Sequence, residues 1–449
     1  MRNRCVVILT LCAPLLAQQL STRPPVLQLS LKKAVEIALS PEGSTRLQLA
    51  LETLKQTESR KVQARAALLP DLEGQVTERN MTENLGALGL RFQFPAFLGF
   101  SIPQLVGPFN VLDIRANATQ NIFDFASIRR FQAAKASVGA AKSDVGNTRD
   151  QVMDQVARAY LTGLHAQNTV DTAKANVELS EALVRLAESQ KNAGTGTGIE
   201  VTRAKVQLAN DRQNLLVAET QRTRANLQLL KVLGVKLDNP VELTDRMTYT
   251  PSDSTDTEKA LATALTTALA SRPDLQAQNE REDSAKLSYS SVKFERLPSI
   301  AGFADYGAIG TNVSQLPTRT YGVSLRIPVF DGGRRDARRA ESASQLRQER
   351  IRTADLRDQI ELEVRTALDS LKSAEAQVQT ANEGLGLSEE ELGHARRRYE
   401  AGITNSIEVT DAQTRLARAR ENVNSALYNH NLARIDVASA MGKIETVVQ

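Results

Sequence analysis

The chain has 449 residues, 41% of them hydrophobic but only 4% aromatic, with no tryptophan, three histidines and two cysteines. A core built on large rings is excluded, whereas abundant Ala, Leu, Gln, Arg and Glu suit long helices and coiled coils. The 56 basic and 52 acidic side chains leave +4, too small and dispersed an excess for a nucleic-acid footprint, so no nucleic acid is expected as a partner.

Residues 1–17 read as a secretory signal peptide: Arg2 and Arg4, an apolar run from Cys5 to Leu16, then Ala17 ahead of Gln18 and Gln19. Cleavage after Ala17 removes both cysteines and both arginines, leaving an exported chain of charge +2 without a thiol. Leu11 before Cys12 is not the small residue a lipid-anchored cysteine requires; an uncleaved anchor is the alternative. No other stretch reaches the ~18–20 uninterrupted apolar residues of a membrane helix, so any entry into a membrane must be by strands.

Two structural repeats follow, 18–234 and 257–442, joined by a polar linker at 235–256 and ending in a tail at 443–449. The first opens with an amphipathic segment at 31–39 and a helix at about 45–69, which stops at Leu69-Pro70 because the residue before proline leaves helical space. A hairpin at about 71–122 comes next, with strands 71–83 and 111–122. In the latter Leu112, Ile114, Ala116, Ala118 and Ile122 take one face, and Asp113, Arg115, Asn117, Thr119 and Asn121 the other. Helices at about 126–191 and 200–233 complete the unit. The second repeat reads 260–269, 275–297, a hairpin at about 299–330 with strands 299–309 and 320–330, then helices at about 334–399 and 406–441.

The duplication is carried by an ungapped register. Ala193-Gly194 falls on Ala401-Gly402, Ile199-Glu200-Val201-Thr202 on Ile407-Glu408-Val409-Thr410, and Gly234 on Gly442. From Val201 to Val232 and from Val409 to Ala440, small and apolar residues recur every three and four positions, a 3.5-residue seam whose alanines permit close helix packing. One polar seat is shared, Arg222 and His430. It reads as a solvent-facing end of the seam, with a register-setting or interface role as the alternative.

Alternation of apolar and polar residues over about ten positions is what a transmembrane barrel strand requires. Four strands cannot close a barrel, and open edges are not tolerated in lipid, so the barrel must be shared between chains. Three chains supply twelve strands. The expected fold class is mixed, mainly α with membrane β: a barrel shared between chains, with helices of about 100 Å beside it. Of the 18 Phe and Tyr, 11 fall within the two strand-loop segments, including Phe92, Phe94, Phe97 and Phe100 in the loop 85–108, where a barrel places interfacial girdles.

Several separate pieces make this chain resemble the TolC-type outer-membrane efflux proteins: Leu69-Pro70-Asp71-Leu72, Pro108-Phe109-Asn110, Ile327-Pro328-Val329-Phe330-Asp331-Gly332-Gly333, and Arg398-Tyr399-Glu400-Ala401-Gly402 leading to Ser406-Ile407-Glu408-Val409 and Asp411-Ala412-Gln413. The resemblance implies a TolC-like homotrimer with one shared twelve-stranded barrel, four strands per chain, continued by a long coiled-coil tunnel: an exit duct in the outer membrane, its helices in the periplasm, docked onto a periplasmic adaptor and an inner-membrane pump in tripartite efflux or type I secretion. The competing reading is a periplasmic structural coiled coil without channel activity.

By the same resemblance the two helical turns lie at the tunnel end farthest from the barrel, where they contact the adaptor: Gly194, Thr195, Gly196, Thr197 and Gly198 in the first; Gly402, Ile403, Thr404, Asn405 and Ser406 in the second. Glu408 and Asp411, three apart on one helix face, face the lumen of the closing aperture, where three chains would ring six carboxylates; two solvated acids on an exposed helix is the plainer alternative. The matching pair in the first repeat is Glu200 and Arg203, and Arg203 is expected to pair with Glu408 or Asp411. Tyr399 matches a position that tethers the closed state, whereas Thr404 stands where a basic residue is sometimes found. Arg334-Arg335-Asp336-Ala337-Arg338-Arg339 opens a helix against its dipole, as lipid-headgroup contacts or as a ring inside the tunnel. His165, His394 and His430 have no metal-ligand spacing and no nucleophile–base pair recurs, so neither enzyme activity nor a cofactor is expected.

Overall fold

The computed structural model describes residues 26–40, 43–90, 103–251, 257–311 and 313–448. The expected signal peptide and the rings of Phe92, Phe94, Phe97 and Phe100 lie outside them. Two helices dominate, α3 (Phe125–Asn192, 68 residues) and α7 (Arg334–Glu400, 67 residues). At 1.5 Å per residue each spans about 100 Å. Before them come β1 (Leu27–Leu29), α1 (Leu31–Leu39), α2 (Thr45–Ala66), β2 (Asp71–Asn84) and β3 (Leu105–Phe123). Between them lie α4 (Gly198–Leu233), β4 (Val241–Leu243), α5 (Thr257–Ser271), α6 (Pro273–Phe294), β5 (Ser299–Thr311) and β6 (Ser314–Arg326); α8 (Ser406–Ala440) and α9 (Glu445–Val448) end the chain.

The helices form one layer. Helix α3 packs against the pair α2 and α4 on one side and the pair α6 and α8 on the other, and α7 packs outside α6 and α8. Alanines at the contacts, among them Ala140, Ala157, Ala173 and Ala187 on α3, bring the axes close. Every seam position of α4 and α8 is buried or half-buried. This overturns the solvent-facing reading of the shared polar seat. Arg222 is half-buried with its guanidinium 3.5 Å from Gln167 Oε1, and His430 is fully buried.

The polar linker also holds structure that composition does not foretell. Its strand β4 pairs in parallel with β1, and together they strap α1 onto the middle of α3. Leu29, Val152, Met153, Val156, Tyr160, Leu229 and Leu233 make the largest apolar core there. The Tyr160 hydroxyl lies 2.9 Å from both the Leu29 carbonyl and an Asp245 carboxylate oxygen, sharing its one proton between them and tying strap to helix. The cluster sits at the level where α4 gives way to α2 and α8 to α6. The changeover from α8 to α6 has a smaller core of its own, in which Ala264 and Ala268 of α5 meet Leu275, Ile360, Val364 and Ala440.

The four long strands make a single antiparallel sheet in the order β2-β3-β5-β6. Strand β3 starts at Leu105, within the stretch expected to be loop, so Pro108-Phe109-Asn110 belongs to the strand. Strand β6 starts at Ser314 and stops at Arg326, leaving Ile327 to Phe330 outside it. Register puts Leu72, Val76, Ile114, Ala116, Ala118, Ala304, Tyr306, Tyr321 and Val323 on one face, opposite Asp113, Arg115, Asn117, Asp305 and Ser324. Arg115 lies between Asp113 and Asp305, at 2.7 and 3.5 Å. Both edge strands, β2 and β6, have no strand beside them among the described residues.

His430 makes a testable point. Its ring packs 5.0 Å from that of Tyr249. Burial, and then Arg434, pull its pKa below the ordinary 6.5, opposed more weakly by Glu375. The unfolded chain takes up a proton below pH 6.5 that the folded chain resists, so this residue makes stability fall on acidification. The carboxyl of Asp150, pushed up to about 6 by burial and then by Glu445, works in the opposite direction. The readout is therefore the difference between wild type and His430→Leu: the thermal midpoint of the variant should lose less than that of the wild type between pH 7.5 and 5.

Candidate functional site: the helical tips

The two tips share one backbone design. In the first, Gly194 takes φ +78° and the Thr195 N–H returns to the Gln190 carbonyl at 3.0 Å; in the second, Gly402 takes φ +71° and the Ile403 N–H returns to the Arg398 carbonyl at 2.9 Å. This satisfies carbonyls that the helix end would leave bare, and the left-handed residue must be glycine because a Cβ would crowd its own backbone. The next helix is capped at once. The Thr197 N–H donates to the Glu200 carboxylate at 2.8 Å, and Asn405 Oδ1 accepts from the Ile407 N–H at 3.0 Å. So ordered, the tips still expose apolar side chains: Ile199, Ile403 and Ile407 all face solvent.

The structure separates the expected aperture residues into two roles. Glu408 is half-buried and held: Arg398 reaches it at 3.1 Å and the Thr404 hydroxyl donates to its other oxygen. Asp411 is exposed on the same face one turn on. Glu200 is engaged in capping, and Arg203 is exposed without an ion pair among the described residues of the single chain. Tyr399 is buried among Leu183, Leu186, Ala395, Val409 and Ala412, which locks the end of α7 to both α8 and α3. Burial raises its phenol pKa, and the Glu200 carboxylate adds to the effect. Its carbonyl accepts from Gln190 at 3.3 Å.

Arg398, beside Tyr399 in the same motif, is one contact to Glu408 that the sequence leaves unassigned. A buried polar chain above the tips is a second. Gln413 on α8 donates to Ser180 on α3 at 2.6 Å, Ser180 donates to Asp211 on α4, and Gln207 reaches the same carboxylate at 3.2 Å. These bonds join three helices of the two repeats at one level. The signal was present: Asp211 occupies a seam seat that is Ala419 in the other copy. Beside them a cavity of about 20 Å³ receives the hydroxyls of Tyr399 and Ser406.

No described group of three His, Asp, Glu or Cys side chains could hold a metal, and no described helix is long and apolar enough to cross a membrane. The membrane-competent part is the sheet, apolar on one face, at one end of a helical layer of about 100 Å. Such a combination defines an outer-membrane channel with a periplasmic tunnel. The chain belongs to the outer membrane efflux protein family, whose model matches twice, over residues 42–235 and 264–443. It is similar to the outer membrane efflux protein BepC of Brucella suis, 23% identical over 362 residues, 76% of this chain and 77% of that one. Similarity to TolC of Vibrio cholerae is 21% over 350 residues, covering 75% and 77%. The fold matches the solved outer membrane protein VceC of Vibrio cholerae with a TM-score of 0.78 at 18% identity, covering 92% of this chain and 96% of that one. The protein is an exit duct of the outer membrane, and its family is one of channels.

Ser180→Ala tests the buried chain. It leaves Gln413 without its acceptor and Asp211 short of a donor, which costs about 1–3 kcal/mol. The thermal midpoint of detergent-purified protein should drop accordingly, whereas Ser59→Ala, at an exposed serine whose hydroxyl only returns to its own helix at Lys55, should change little.

Proposed function

We propose that three copies of this chain assemble into one duct, in which the three sheets close a twelve-stranded barrel and the helical layers close a tunnel across the periplasm. The observation that carries this is that one chain is unfinished on both flanks. Strands β2 and β6 have free edges, none of the 22 residues of α2 is buried, and the outermost helices expose Val206, Leu216 and Val217 on α4 and Ile351, Leu362 and Leu387 on α7. A backbone edge in lipid costs several kcal/mol per unpaired group, so joining β6 of one copy to β2 of the next is the physical solution. A periplasmic coiled-coil rod would leave the apolar sheet face unused.

At the far end the exposed tips, with Ile199, Ile403 and Ile407, would seat a periplasmic adaptor coupled to an inner-membrane pump, of the tripartite efflux or type I secretion kind. Substrate then moves passively along the tunnel. Glu408 and Asp411 of three chains would make the acidic aperture, with Tyr399 anchoring the hairpin that carries it. Arg203, without an ion pair among the described residues of its own chain, is available to bridge to the acids of an adjacent copy and hold the aperture narrow. Arg398 and Thr404 already restrain Glu408 from within the chain, a role in line with a gate that rests closed.

Purification from outer-membrane detergent extract should yield a trimer that forms cation-preferring single channels in planar bilayers; a soluble monomeric rod would refute the duct assembly. Arg203→Ala should raise single-channel conductance if it bridges copies. Joint Glu408→Gln and Asp411→Gln should reduce the cation preference, read from the reversal potential in a salt gradient, because six carboxylates leave the ring.

A further inference from the structure

All four helices that end at the sheet carry cations in the turns that meet it. Helix α2 brings Lys61 and Arg65 to its last turns, and α3 brings Arg129 and Arg130 to its first. Lys293 and Arg296 stand at the end of α6, and Arg334, Arg335, Arg338 and Arg339 open α7. These ten cations share their level with four carboxylates, Asp124, Glu295, Asp331 and Asp336. The local excess thus exceeds that of the whole chain, which is +4.

The four acids are already engaged. Asp124 caps α3 through the Ala126 N–H at 3.0 Å. Glu295 lies between Arg130, at 3.6 Å, and Arg338, while Asp336 takes Arg296. Asp331 takes Arg335 at 3.3 Å and Arg334 at 3.9 Å, and accepts the Arg335 N–H at 3.1 Å, which offsets the dipole penalty of a basic helix start. Arg65, Arg129 and Lys293 make no ion pair among the described residues. The Arg334 side chain, though near Asp331, is 71% exposed.

The apolar neighbours show on which side this charge lies. A register shift between Asn121 and Phe123 brings Phe123 opposite Ile300, on the apolar face of the sheet. Phe125 packs edge-on at 4.6 Å from Phe123, Phe294 lies 5.7 Å beyond, and the Arg129 guanidinium stands over the Phe294 ring at 5.8 Å. On the other hairpin, Val329 and Phe330 are 91% and 88% exposed just ahead of Arg334. Rings at the rim of a lipid-facing surface, followed within one turn by guanidinium groups, are an interfacial arrangement rather than a lining of the tunnel.

We propose that this belt is a headgroup-binding girdle that selects net-anionic glycerophospholipids, held through their phosphates, in the leaflet facing the periplasm. Guanidinium forks match phosphate oxygens two at a time, and the exposed rings hold the belt at headgroup depth. The inference rests on the outer-membrane duct described above and adds the chemistry of the lipid and the residues that hold it.

The test uses the full-length trimer in detergent, offered phosphatidylglycerol and phosphatidylcholine in equal amounts, with bound lipid counted by native mass spectrometry. The wild type should retain phosphatidylglycerol at least threefold over phosphatidylcholine. The triple variant Arg65→Gln, Arg129→Gln and Arg334→Gln should lose most of that preference, and the corresponding lysine variant, which keeps the charge without the two-point fork, should fall between it and the wild type. Equal retention of the two lipids by the wild type overturns the proposal, and needs no variant. Displacement of phosphatidylglycerol by millimolar inorganic phosphate also overturns it, since the belt would then be a free-anion site. Conductance of the same wild-type preparation in planar bilayers separates the outcomes: channels without lipid preference refute the girdle alone, whereas absence of channels counts against the duct.

Discussion

Close packing of α3 against four shorter helices is the contact on which everything else depends. A helix of about 100 Å cannot hold itself straight in water by hydrogen bonds alone; it needs a continuous buried face. Alanine supplies that face without bulk, so α2 with α4, and α6 with α8, approach α3 from both sides. Each pair meets end to end, and the β1–β4 strap with α1 covers the level of the two junctions through Tyr160 and its neighbours, with a smaller core around Ala268 of α5 at the second. The layer thereby acts as one unit that can hold a membrane sheet at one end and two ordered tips at the other.

The two ends answer opposite demands on the backbone. In the sheet every amide must find a partner within protein, so long strands with free edges imply a neighbour. At the tips water satisfies what the chain does not, and glycine turns can present exposed isoleucines. Between them the polar chain from Gln413 through Ser180 to Asp211 ties the two repeats together just above the tips, next to the apolar cluster around Tyr399.

Much of this was legible in the sequence. The 3.5-residue seam, the proline stops after Leu69 and Leu297, and the alternation in 112–122 each reflect a local periodicity, and helices and strands stand at those places, although β3 and β6 both begin six residues before the expected strands. The start of β3 was missed since Pro108 and Gly107 read as loop, yet edge-like positions of a hairpin tolerate both. The strap β4 was missed because three residues carry no period. Glu408 and Tyr399 were readable from motif, but their contacts to Arg398, Thr404, Gln190 and Leu183 depend on distant helices meeting at one level.

Composition and periodicity determined that this chain is a duplicated, helix-dominated protein with four alternating strands; its membrane destination needed the signal peptide and the family resemblance as well. They could do so because repeat register, heptad seams and strand alternation are written in neighbouring residues. Tertiary structure decided that His430 is buried rather than at a wet end, that Asp211 bonds across three helices, and that basic turns from four separate helices converge on one belt. Those facts concern residues far apart in the chain. Only the packing of α3 and the register of one sheet bring them together.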